Sequence, residues 1–471
     1  MCILKYLLFC CVICISCSHA SLHQKQLMHA LDFSAANSKE LEKVLKHYEH
    51  DSLKLEAAKF LIRNMPHCYS YQQGGEMDSV KRVRTYYSPF GQIDQTYARR
   101  WGHYTYRNLL KIYDAHIITA EYLIDNIDRA FDNWQKRPWN RSLSFEDFCE
   151  YLLPYRIGDE PLEEWRELYE KKYGYLLDSI YKGSDVVEAA NLVSRHLQEP
   201  VFIYCEDFEL PHIGPRYLFS HRYGSCVDAA DIVTYAFRAV GIPCMEDTDA
   251  RGGHVWNVVR DTTGRDVPIW YIASEAVRGS RDTGGYKRGK VYRPMYGFQE
   301  EKAAHLGDDW KSVPLLFYHP YMKDVSYAYY PDTLRILTGI PDGEVCYLAH
   351  FHEAHWWSCA CARSASGKME IPNLESELVY LPMKYTKGNY YPSGFPFWFA
   401  GGEINTFLPD WEKTVKVRLY RKYPVYGWLH SFMGHVVGGT FEGSMTKNFE
   451  DGKTLYLSLI HISEPTRRTP I

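Results

Sequence analysis

Between residues 28 and 200, apolar positions recur three and four apart, the period of helices that bury one face. Asn37 and Glu40 form a capping-box pair ahead of Leu41, Val44 and Leu45. A second helix is predicted from about Ser52 to Met65, stopped by Pro66. Ile117, Ile124, Ile127, Phe131 and Trp134 predict another, ended by Pro138. Phe145, Phe148 and Tyr151 follow Ser144 as far as Pro154, and a further helix is predicted near Val186 to Leu197. Aromatic stripes of this kind read as core, so the region is expected to be a helical support packed against the middle of the chain. Beyond about 312 the period shortens. Runs such as Val415-Lys416-Val417-Arg418-Leu419 lie between the turn signals Pro341-Asp342-Gly343, Lys387-Gly388-Asn389 and Pro392-Ser393-Gly394, a texture that predicts a β-sandwich. After Pro424, the segment Gly438 to Ser444 reads as the start of a third module.

The middle of the chain carries the candidate chemistry. Ser225 is a good N-cap, with Asp228 three residues on. Val227, Ala230, Val233, Phe237 and Val240 then keep helical spacing until Gly241 and Pro243 stop it. Cys226 therefore falls in the first turn, where unpaired N–H groups and the helix dipole favour thiolate over thiol. Asp228 and Asp231 read as cap and solvated face. His254 to Arg260 reads as a strand, Thr262 to Arg265 as a turn, and Val267 to Ile272 as the returning strand. If Asp261 faces Asp266, His254 falls opposite Ala273, beside Ser274 and Glu275. Glu275 is then the carboxylate expected to orient the imidazole, with Asp266 as the alternative.

These residues resemble the transglutaminase-like branch of the papain-type cysteine enzymes: Gly224-Ser225-Cys226 at a helix start, Arg238-Ala239-Val240-Gly241-Ile242-Pro243 at its end, and His254-Val255-Trp256 on a strand. The resemblance spans about 215 to 280. It implies Cys226 as nucleophile, His254 as general base and an acidic third member. The family usually has aspartate four residues after the second strand's tryptophan, whereas here that position is Ser274. Tyr223, Trp256 and Asn257 are expected along the substrate cleft, although a strand tryptophan is more often core. The expected fold is α+β, with a helical domain over 28–200, a papain/transglutaminase-like domain over 201–311, a β-sandwich-like domain over 312–423 and the start of a truncated β module over 424–456. The expected activity is a cysteine hydrolase or acyltransferase acting on peptide or glutaminyl amides of a peptide, protein or glycopeptide. The alternative is an inactive, envelope-anchored peptide- or glycan-binding protein.

Composition changes this picture little. The 471 residues exceed a single core, and 46% hydrophobic with 24% charged residues is ordinary for globular chains. A formal charge of −4 gives no reason to expect nucleic acid. Lys5 followed by the apolar run Leu7 to Ile15 reads as a targeting segment over 1–20. Cys14-Ile15-Ser16-Cys17 resembles a bacterial lipobox that would lipidate Cys17 and tether the exported protein to a membrane; Ser18-His19-Ala20 reads instead as an ordinary cleavage site. The remaining eight cysteines are scattered, so no obligatory disulfide is expected. His350, His352, His355, Cys359 and Cys361 lack a fixed zinc spacing, so neither metal nor cofactor is expected. Gly279 to Asp309 reads as a solvated basic loop, with a mobile flap as the other possibility. Leu457 to Arg467 resembles the translation of a sequencing-library adapter, so the tail over 457–471 is expected to be foreign to the protein. Oligomeric state is not legible.

Overall fold

The computed structural model describes residues 22–86, 96, 100–101, 104–205, 209–250, 253–270, 275–281, 287–299, 317, 319–337, 339–352, 355–408, 410, 412–413, 440–443 and 453–457. Cys17, Ala273, Ser274, the run 415–419 and the tail beyond Leu457 lie outside them. The chain is mixed helix and sheet. It divides into two compact units, Met1–Phe407 and Leu408–Ile471. In the second, Thr440–Gly443 pairs antiparallel with Lys453–Leu457. Among the described residues no helix is long and apolar enough to cross a membrane.

The helical part begins with a helix over 22–33, followed by Ser38–His47 and Ser52–Asn64. Asn37 stands at the expected N-cap but makes no cap bond. Its amide instead donates to the carbonyls of Ala115 and Ile118, while Glu40 accepts from the Ala120 N–H. Both side chains of the expected capping box are thus spent on tertiary contacts. The helix expected from Ile117 starts later, at Ala120, because Thr119 caps it, and it runs to Lys136. Ser144 caps Phe145–Tyr151, and Val186–Leu197 forms as expected. Three further helices, Gly75–Arg84, Arg166–Tyr175 and Pro215–Ser220, carry too weak an apolar period to be read from sequence.

The Cys226–Ala239 helix is the centre of the fold, with every residue but Val227 buried. Ile232, Val233, Ala236 and Phe237 join one core with the Val186–Leu197 helix and the strands after Gly241. Those strands form a five-stranded sheet in the order β7-β6-β5-β8-β9: Cys244–Asp249 (β5), Val255–Arg260 (β6), Asp266–Ile269 (β7), Val291–Pro294 (β8) and Met322–Asp324 (β9). Arg260, not Asp261, faces Asp266. Asp261 is drawn into the turn, where its carboxylate accepts from the N–H groups of Thr263 and Arg265. The register is thus one residue off the expected count, and the position expected to face His254 lies outside the described residues.

The basic run expected to be solvated is partly buried. Arg288 and Lys290 are 5% and 2% exposed. The N–H groups of Arg288 and Gly289 bind Glu375, and the Arg288 guanidinium lies over the Trp256 ring at 4.8 Å. Further on, a six-stranded sheet and the antiparallel pair Asp332–Leu337 with Lys368–Leu374 share one apolar cluster.

Candidate functional site

Cys226 is the first residue of its helix and 6% exposed. The Ser225 N–H donates to Asp228 Oδ2 at 2.7 Å and completes a capping box. Arg84 contacts the same oxygen at 2.9 Å, so Asp228 is a buried ion-paired cap. Asp231 departs from the expected solvated face altogether. It is fully buried and 2.9 Å from His212 Nδ1.

The helix and β6 run side by side. Asn257 donates to the Ala230 carbonyl at 3.0 Å and to Thr234 Oγ1 at 2.9 Å. Arg238 reaches the Cys244 carbonyl and Thr234 reaches Glu246, so β5 runs against the helix and β6 with it. Cys226 lies one turn before Ala230, and His254 three residues before Asn257. Both therefore stand at the same end of the helix–strand pair.

His254 is 2% exposed, with its ring 4.0 Å from that of Trp270 and 5.6 Å from that of Trp256. Trp256 is core rather than cleft. It is 1% exposed and donates to the Tyr329 hydroxyl. Asn257 is likewise buried, and half-buried Tyr223 packs beside Val80, Val83 and Cys205.

Neither expected acid stands beside the imidazole. Glu275 is on the surface, ion-paired to Arg195, with both side chains about half exposed. Asp266 faces Arg260 at the far end of β6 and is held by Arg293 at 2.7 Å and the Tyr151 hydroxyl. The carboxylate that the ladder does bring alongside is Asp249. It extends the β5–β6 register opposite His254, its N–H donates to the His254 carbonyl at 3.3 Å, and it is fully buried. Asp249 Oδ1 also accepts from the Gly253 N–H. Sequence reasoning missed it because Glu246, Asp247 and Asp249 read locally as a solvent-facing acidic run, whereas every residue of the strand is buried.

Beside the helix start lies a cavity of about 540 Å³. Ser225, Val227 and Asp228 line it, as do Glu246 and His212; Cys226 does not. Burial, reinforced by the Asp231 charge, raises Glu246 to about 8. Burial alone would lower His212, but the Asp231 carboxylate outweighs it and holds the imidazole well above its ordinary value. Compared with protein-family models, curated proteins and solved structures, the chain matches none.

Proposed function

We propose that this chain is a transglutaminase-like cysteine hydrolase or acyltransferase acting on peptide or glutaminyl amides, with Asp249 in place of Glu275 as the acid behind His254. The observation that carries this reading is the pairing of helix and strand, which sets a first-turn cysteine and the histidine just before the strand at one end, with a buried aspartate across from the histidine. Cross-strand partners have Cβ atoms about 4.5–5.5 Å apart, close enough for a carboxylate to orient an imidazole.

In the proposed reaction, Cys226 gives its proton to His254 and the sulfur attacks the amide carbonyl. The C–N bond breaks as the imidazolium protonates the departing amine, leaving a thioester. Water or a second amine, deprotonated by His254, then attacks the thioester and restores the thiol. Backbone N–H groups at the helix start would receive the oxyanion. The apolar leader and the Cys17 motif support export, with a lipid anchor at Cys17.

A second reading rests on Trp270, whose ring packs against the His254 imidazole. It is the inactive binding scaffold. One experiment separates them: wild type and Cys226→Ala are mixed with a casein digest and a fluorescent primary amine, following peptide cleavage, ammonia release and amine incorporation. Any of these, lost in Cys226→Ala, supports the enzyme. Silence in all three, together with alkylation of Cys226 no faster than an ordinary thiol, favours the scaffold.

A further inference from the structure

The β5–β8 ladder holds only two pairs, Thr248 with Tyr292 and Asp249 with Val291. Pro294 has no N–H with which to extend it. The cavity lies along the strands beyond the ladder, lined by Met245 and Glu246 on one side and Pro294 and Met295 on the other. Exposed Glu209 and deeply buried Glu246 both line it, so it reaches inward from the surface. Its volume suits a small ligand.

The charges on its walls are unevenly committed. Arg84 is paired with Asp228, Arg156 with Asp114, and His212 with Asp231. Arg238 donates to the carbonyls of Tyr151 and Cys244. Glu246 is different. It is 7% exposed, Thr234 donates to its Oε1 at 2.7 Å, and its second oxygen accepts no hydrogen bond among the described residues. Glu246 is part of the cavity lining, so that oxygen is open to a ligand there. His67, also on the wall, has a buried Nδ1 with no partner among the described residues. Burial pushes that imidazole down to about 3, so it remains neutral and sets no charge against a cation. Tyr69, Tyr106, Tyr296 and Tyr321 add aromatic surface, which is attractive to cations.

We propose that this cavity binds a small organic cation, a primary amine on an apolar or aromatic body, whose ammonium is received by the unpaired oxygen of Glu246. The site is separate from Cys226 and does not depend on its chemistry. The groups bearing on Glu246 are Asp231, Thr234, Tyr235 and Arg238 from the helix, His212 from the preceding loop and Cys244 on its own strand. Because Glu246 titrates near 8, it must lose a proton to pair with the ammonium, so affinity rises with pH up to that point.

The test is calorimetric titration of the full Cys226→Ala chain with phenethylamine, phenethyl alcohol and phenylacetate. The amine is expected to bind at least about tenfold more tightly than either counterpart, and about tenfold more weakly near pH 6.5 than near pH 8.5. Glu246→Gln should abolish the preference for amine. Met295→Trp, which fills the cavity and keeps the carboxylate, should abolish binding and serves if Glu246→Gln does not fold. Equal or tighter binding of the alcohol or the phenylacetate, no saturable binding of amine, or amine binding retained by Met295→Trp would overturn the proposal. Because the nucleophile is already removed, these outcomes are independent of whether the chain is a cysteine enzyme.

Discussion

At the scale of single residues, the cysteine reading turns on which carboxylate stands behind His254. Glu275 is spent on Arg195 at the surface, and surface pairs contribute little to stability. Glu275→Gln should therefore leave kcat within about twofold of wild type. Asp249 is buried across the ladder from the histidine. Replacing it by asparagine preserves shape but removes the charge that stabilises imidazolium, so kcat should fall roughly 10²-fold or more with KM little changed. A purely structural role for Asp249 predicts the opposite: lost thermal stability with normal turnover in the protein that remains folded. Steady-state kinetics of both variants, with the pH profile of kcat and a melting curve for each, separate these outcomes.

At the scale of elements, the central helix is fixed at both ends. At its C-terminal end Gly241 adopts φ +80°, and an added Cβ would lie 2.8 Å from the Asn133 carbonyl oxygen. The same glycine's carbonyl accepts from Trp139 and Asn140. Gly241→Ala is expected to cost about 1–3 kcal/mol, read by urea unfolding. This terminus was legible in sequence because glycine followed by proline is a local stop signal, and Ser225 with Asp228 marked the other end equally locally. Asn37 and Glu40 carried a similar signal, yet their side chains go to residues about 80 positions away, which no local pattern records. The same holds for β5, whose acids look solvent-facing until their partners are known. Asp247 meets Arg293 at 2.6 Å and Tyr329, and Glu246 meets Thr234. Arg293 itself bridges Asp247 on β5 to Asp266 on β7 while 2% exposed. Arg293→Met would leave buried Asp247 without its cation and Asp266 with only the cation of Arg260, and should cost about 3–5 kcal/mol. Arg335→Met, which breaks the exposed pair with Glu370, should cost no more than about 1 kcal/mol in the same assay.

At the scale of the whole molecule, the cluster behind the central helix makes stability respond to pH. Burial holds Asp231 at about 6 and Glu246 at about 8, both above the ordinary carboxylate range, and the Asp231 charge holds His212 above its own. All three shifts have the same sign: the folded state keeps protons that the unfolded chain has released. Stability must then fall as pH rises, first through the interval that ends near 6 and then through the one that ends near 8. His212 keeps its extra proton through the Asp231 carboxylate, so its contribution belongs to the range in which Asp231 is ionised and is lost as pH passes the raised folded value of the imidazole. The stabilisation contributed by this cluster is thus expected to be largest under mildly acidic conditions and to shrink as pH rises to about 8.5. Glu246→Gln keeps the Thr234 contact but cannot ionise. Urea unfolding at a series of pH values should find it weaker than or equal to wild type near about pH 5 and more stable near about pH 8.5, with the curves crossing between. Parallel curves would mean that Glu246 ionises as freely in the folded protein as in water, and the wall of the cavity would then carry a charge at neutral pH.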